Sequence, residues 1–418
     1  MKNIIVENDN KFKSIYISYS FVFKIDNNEY SRNALLTNIL AKGCNKYKTE
    51  NEIEEYLSYL YGTAFDIECQ KLGDLYNIDF KINFVNKQFL PNKEDVLNNV
   101  LDFLYEIIYN PLIEDKKFSD SIFKREKSNI IEKIVSRKDD KLKYGVLRAE
   151  ELLCENERFS NYIYGTEEEA NNLTNEDIFK AYNHMINTSN VNVIVTGNLE
   201  GYQNIEEIIK NKFVGKIKTN IKYSELIKEI NEKKDNSYRE IIERIPTMQS
   251  VIGIGLRCNN ITKKDIYVVN VFNSILGGTP SSKLFQNVRE KESLAYTTRS
   301  RYNRFKDAIL MYAGIEESNF EKAKEVMLEQ VDLIKKGEIT DIEIVSAKES
   351  LISDVKEYID SKIIISKQRF INLIEDEEDT IEEVIEKIKS VTIEDVINIS
   401  SKIELKLIYL LGGENNGQ

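Results

Sequence analysis

Histidine occurs once in the 418 residues, at position 184, and that count excludes most metal chemistry. A zinc hydrolase site takes two or more imidazoles or several closely spaced thiolates, and the sequence holds neither. A Ser-His-Asp triad could use only His184, in "YNHMINTS", and no Gly-x-Ser-x-Gly turn accompanies it. A helix-end or surface position is the plainer reading of this residue. The four cysteines, Cys44, Cys69, Cys154 and Cys258, show no metal or redox spacing. They read as buried thiols in a reducing cytoplasm. No apolar run approaches the ~18 residues of a membrane span. The start, "MKNIIVENDNKFK", turns polar after a short apolar segment, unlike a signal peptide. Acidic side chains outnumber basic ones by 70 to 58, a net charge of −12, which argues against a broad nucleic-acid face. The expectation is a cytoplasmic protein with no membrane, nucleic acid or metal of its own.

What is present is a globular composition, 41% hydrophobic and 31% charged, in a chain too long for one core. Two segments look alike. "LTNEDIFKAYNHMINTSNVNVIVTG" and "VTIEDVINISSKIELKLIYLLGG" each open on a threonine cap (Thr174, Thr392), place acids in the first helical turn, and close on a strand ending in glycine (Gly197, Gly412). They lie roughly half a chain apart, which suggests a duplication. "SIYISYSFVFKI" leads into "ALLTNILAKG" just as "SVIGIGLRC" leads into "IYVVNVFNSILGG". Thr49 and Glu52 form a capping box ahead of Ile53, Tyr56, Leu57 and Leu60 at helical spacing. Each half reads strand, strand, helix, helix, strand, strand, helices, strand. The predicted class is α+β, two duplicated domains, each a largely antiparallel sheet with helices on one face. The domains are placed at 1–215 and 241–418, with a charged, glycine-free linker at 216–240.

Three short motifs invite chemistry and have plainer readings. "GIG" at Gly253–Gly255 is a weak dinucleotide signal because it lies inside a strand pattern. "RSRYNRF" could be a basic-aromatic nucleic-acid patch through Arg301, but it is short and sits on a predicted hairpin. "IEDEEDTIEEVIEK" reads as an exposed helix face.

The stretch "TPSSKLFQNVREKESLAYTTRSRYNRFKDAILMYAGIEESNFEKAKEVM", with the later "EIVSAKESLISDVKE", resembles the C-terminal homology domain of the M16 peptidases. That family includes pitrilysin, insulin-degrading enzyme and mitochondrial processing peptidase, and the resemblance extends over nearly the whole chain. Active members carry His-x-x-Glu-His on a helix ending near Lys-Gly, two imidazoles for one metal with a glutamate base between them. Here Ala34 and Asn38 stand at the histidine positions and Thr37 at the base. The family's further glutamate ligand falls in "REKSNIIEKIV", where Glu126 survives but the ligand position is Lys133, or Glu132 one residue earlier. The resemblance implies no catalytic zinc in this chain. It also implies that Arg289 and Tyr296, seven residues apart, contact the substrate backbone and the oxyanion of peptide hydrolysis. Without the resemblance the plainer reading of the pair is structural, an Arg289–Glu292 ion pair and a half-buried phenol. The implied role is the zinc-less subunit of a heterodimeric peptidase, Arg289 and Tyr296 acting in trans on a peptide, zinc residing in the partner. The alternative is an inert scaffold or peptide-holding protein of the same fold.

Overall fold

The computed structural model describes residues 3–26, 28–230, 237–376 and 379–413. It divides into two compact units. In the first, strands β1 (Ile4–Asn8), β2 (Ser14–Lys24), β3 (Ala64–Leu72), β4 (Leu75–Val85) and β7 (Asn190–Gly197) form one sheet, with a separate two-residue ladder of β5 (Ile113–Glu114) and β6 (Lys117–Phe118). The sheet order is β1-β7-β2-β4-β3, with only β1 and β7 parallel. In the second unit, β8 (Arg239–Ile245), β9 (Ser250–Cys258), β10 (Ala295–Asn303), β11 (Ala308–Ile315) and β12 (Ile403–Gly413) repeat that order from edge β8 to edge β10, with only β8 and β12 parallel. The duplicated α+β architecture read from the sequence is the one observed.

Alternation in β2 explains the first core. Ile15, Ile17, Tyr19, Phe21 and Phe23 point to the helical face and meet Val193 and Val195 of β7 and Phe80 and Ile82 of β4. Helices Tyr30–Leu40, Val96–Tyr109 and Asn175–Thr188 complete that layer. Thr49 accepts from the Glu52 N–H, but the Glu52 carboxylate turns to the Lys48 N–H (2.6 Å), so only half of the expected capping box forms there. Thr174 and Thr392 exchange full capping-box bonds with Asp177 and Asp395. Those bonds hold both aspartates below the usual carboxylate range. The acidic run near residue 380 is not one helix. Asp376 turns left-handed (φ 55°) at the end of Lys362–Glu375, residues 377–378 lie outside the described residues, and Thr380 caps a new helix, Ile381–Ser390.

The units are not contiguous in sequence. Segment Arg137–Ser160 from the first half belongs to the second unit, and helix Lys362–Glu375 from the second half belongs to the first. A division at 216–240 alone leaves both segments in the wrong body. Each of these helices lies on the sheet face opposite the main helical layer. In the second unit helix Lys141–Leu153 packs on Val251, Leu310, Leu407 and Tyr409. Glycines permit the approach. A Cβ on Gly253 would stand 2.7 Å from the Ala149 Cβ, and one on Gly255 would meet Leu153 at the same distance. The "GIG" motif is therefore a packing feature. Just past this helix Glu157 is buried between Arg257 and Lys306. Arg257 also donates to the carbonyls of Lys306 (2.8 Å) and Leu153 (2.9 Å).

In the first unit the face under helix Lys362–Glu375 is polar. Asp79, fully buried, accepts from Ser18 (2.6 Å) and Ser20 (2.9 Å), and burial raises its pKa to about 6. Lys362 donates to Asn83 (2.7 Å) and Arg369 pairs with Glu7 (2.8 Å).

Two predictions follow from these buried charges. Glu157→Ala leaves two cations unpaired and should cost about 3–5 kcal/mol in chemical denaturation; a loss under about 1 kcal/mol would remove the triad from the stability account. Asp79 has a folded pKa above its unfolded value, so its ionisation destabilises the fold as pH rises from about 4 through about 6. Asp79→Asn should therefore stabilise by up to about 3 kcal/mol at pH 7, and the gain should vanish towards pH 4. Denaturation midpoints across that range check it, and a gain that grows on acidification would refute it.

Candidate functional site

Helix Tyr30–Leu40 carries the positions where a metal motif would stand. Ala34 is fully buried and offers no donor atom. The Thr37 hydroxyl is spent on its own helix, donating to the Asn33 carbonyl at 2.9 Å, and Asn38 is half-buried. Helix Asp120–Val135 packs alongside. Its Lys133 is exposed, donates to the Tyr164 hydroxyl (2.6 Å) and lies 3.9 Å from that ring's centre. Glu132 is exposed one residue earlier. Glu126 is buried as a structural acid, accepting from Arg125 (2.8 Å) and Asn129 (3.1 Å) with Lys42 at 4.0 Å. Cys69 of β3, near Thr37 and Tyr76, has its thiol pKa pushed up by burial. An apolar methyl, an amide, a lysine and a buried protonated thiol do not make a zinc site. Among the described residues, no three His, Cys, Asp or Glu side chains cluster as metal ligands.

The second unit brings Arg289 and Tyr296 to one turn. Residues Phe285–Lys291 form a wide π-type turn rather than a regular helix. The Glu292 N–H donates to the Asn287 carbonyl (3.1 Å) and the Leu294 N–H to the Val288 carbonyl (2.9 Å). Such turns are common at functional sites. Lys283 forms a buried ion pair with Glu343 (2.9 Å) and Asn287 donates to Gln330 (2.8 Å), fixing the turn to two long helices, Asp341–Tyr358 and Phe320–Lys335. Ser293 then adopts a left-handed φ of 53°, two residues ahead of β10. Between Ala295 and Thr297 the β10–β11 register slips, a bulge that leaves Tyr296 outside the ladder.

Both side chains are outward. Tyr296 is 70% exposed, so the half-buried phenol of the structural reading is absent. Arg289 makes no close pair with Glu292; its acid is Glu290, 3.7 Å away and exposed. The Arg289 guanidinium lies over the Phe285 ring, 4.7 Å from its centre. Phe285 belongs to the motif that carries the resemblance, but its place four residues before Arg289, a usable signal for this contact, was not read from the sequence.

The other basic residues of this stretch have local tasks. Arg301 pairs with Glu150, and Lys306 with Glu157. Arg299 alone of the β10 arginines is exposed. The hairpin's charge thus serves the fold more than a nucleic-acid face. His184 packs edge-on against Phe23, ring centres 5.5 Å apart.

The donor set at the lost metal position makes a direct prediction. Chain dialysed against zinc and then against metal-free buffer should retain far less than one equivalent by atomic absorption. Ala34→His should lower stability by about 1–3 kcal/mol through overpacking, without recruiting metal. Stoichiometric zinc in either protein would contradict this.

Comparison with known proteins agrees with this geometry. Residues 172–351 match the family model "Peptidase M16 inactive domain". The chain is 28% identical over 404 residues to the "Probable inactive metalloprotease YmfF" of Bacillus subtilis, covering 96% of this chain and 94% of that one. It is 24% identical over 364 residues to the "Uncharacterized zinc protease YmxG" of the same organism, covering 84% and 86%. Among solved structures, a conserved protein from Enterococcus faecalis superposes over 100% of this chain and 98% of its own with a TM-score of 0.88 at 27% identity. Over nearly its whole length the chain is similar to M16-type proteins, one of them a probable inactive metalloprotease, and Ala34, Thr37 and Asn38 stand where the zinc motif of active members would fall.

Proposed function

We propose that this chain is the zinc-less subunit of a heterodimeric M16-type peptidase and supplies Arg289 and Tyr296 in trans to a zinc-bearing partner. The observation that carries this is a contrast within one chain. The metal positions have become a methyl, an amide and a lysine contact, while the Arg289–Tyr296 turn keeps both donors exposed on a rigid support. Had the pair become purely structural, burial or a close ion pair would be expected of it.

Arg289 and Tyr296 suit peptide carbonyls. The guanidinium presents several fixed N–H donors and the phenol one O–H donor on a stiff ring. The π turn and the bulge hold the backbone at both positions, so little ordering is needed when a peptide arrives. Both donors would bind the substrate backbone and meet negative charge as it develops on a carbonyl oxygen. The metal, held by the partner, would supply the activated water. A peptide is therefore the expected ligand, and a second, metal-bearing polypeptide of similar fold the expected partner. The existence in Bacillus subtilis of both an inactive-type and a zinc-protease relative supports such a pairing.

The test is peptide cleavage by the reconstituted pair, the partner being the metal-motif homologue encoded in the same cell. Arg289→Ala and Tyr296→Phe should each reduce turnover on the order of 100-fold while the subunits still co-elute in gel filtration. Unchanged turnover with intact assembly would leave the chain as a scaffold or peptide-holding subunit.

A further inference from the structure

We propose that the second unit binds the phosphate group of a small phosphorylated solute in a pocket of about 320 Å³ where Arg137, Lys138 and helix Lys141–Leu153 meet the end of β8. The inference is independent of Arg289, Tyr296 and any partner. Four cations line this pocket, Arg137, Lys138, Arg148 and Arg244, together with the Tyr144 ring and Glu243. That concentration stands out in a chain of net charge −12.

Each arginine is oriented by an acidic partner, one of which, Glu243, itself lines the pocket. Arg137 pairs with Glu151. Arg148 Nε donates to Glu243 at 2.8 Å, and its Nη1 lies 3.6 Å from Glu151. Arg244 pairs with Glu317 and donates to the Gly413 carbonyl at 3.1 Å. Glu243 is itself fixed by the Tyr409 hydroxyl at 3.0 Å. A guanidinium carries five N–H donors, so the Glu317 and Gly413 contacts of Arg244 orient it and leave donors for a second anion. Lys138 has no ion-pair partner among the described residues and reaches over the Tyr144 ring, 5.9 Å from its centre, with the Arg137 guanidinium 5.2 Å from that centre. Burial and the nearby Glu243 raise the Tyr144 pKa, keeping the hydroxyl protonated and able to donate.

The arrangement favours a phosphate over a carboxylate. A carboxylate is planar, singly charged and satisfied by one guanidinium fork. A phosphate carries about two charges and oxygens in several directions, so it can draw on arginines from different elements together. The space of about 320 Å³ is ample for one phosphate or pyrophosphate group.

Calorimetric titration of the full chain with sodium pyrophosphate at low ionic strength tests this. One saturable site is expected, weakened about tenfold by Lys138→Gln and by Arg244→Gln and progressively by added salt, while sodium acetate gives no saturable heat. The proposal fails if pyrophosphate does not saturate by about 10 mM. It also fails if both variants, folded by circular dichroism, bind like wild type, or if acetate binds as tightly. A phosphoserine peptide binding more tightly than pyrophosphate would overturn the assignment to small solutes.

Discussion

The second unit rests on one buried acid. Glu157 sits between Arg257 of β9 and Lys306 of the β10–β11 turn, and all three are nearly inaccessible to water. Ions this deep are tolerated only when they neutralise each other and their remaining donors find acceptors. Arg257 meets that demand by bonding the carbonyls of Leu153 and Lys306. A segment from the first half of the chain, a central strand and a hairpin turn are thereby fixed together. The close seat of helix Lys141–Leu153 on Gly253 and Gly255 adds the packing that makes this geometry unique.

That constraint reaches the candidate site through the hairpin. β10 carries Tyr296 at its start and is joined at its other end to the turn holding Lys306. Arg301 adds a second tie to the same segment through Glu150. On the other side, the Lys283–Glu343 ion pair and the Asn287–Gln330 bond anchor the turn that carries Arg289. Two exposed donors thus stand on a support whose charges are satisfied internally. Preorganisation of this kind suits the peptide-backbone contact proposed for the pair.

The first unit shows the opposite history. Its main core is intact and aromatic, yet the helix that would present metal ligands has been absorbed into packing. Ala34 is interior, Thr37 bonds its own helix, and Lys133 stacks on Tyr164. The neighbouring helix also carries a buried acid, Glu126, paired with Arg125 and near Lys42.

Local chemistry was readable without coordinates wherever it depended on neighbours in sequence. Threonine caps followed by acids, strict alternation in β2 and the repeated order of elements are all short-range patterns, and the resemblance to a known family singled out positions 34, 37 and 38. They determined the class, the duplication and the absence of a zinc motif. The exchange of helices between halves, the packing task of the Gly253–Gly255 pair, the burial of Glu157 and the bulge that turns Tyr296 outward needed the tertiary structure. Each depends on which distant segment lies opposite, and no local periodicity encodes that. Arginine in "SVIGIGLRC" looks like a surface residue until a glutamate a hundred positions earlier is seen to close over it.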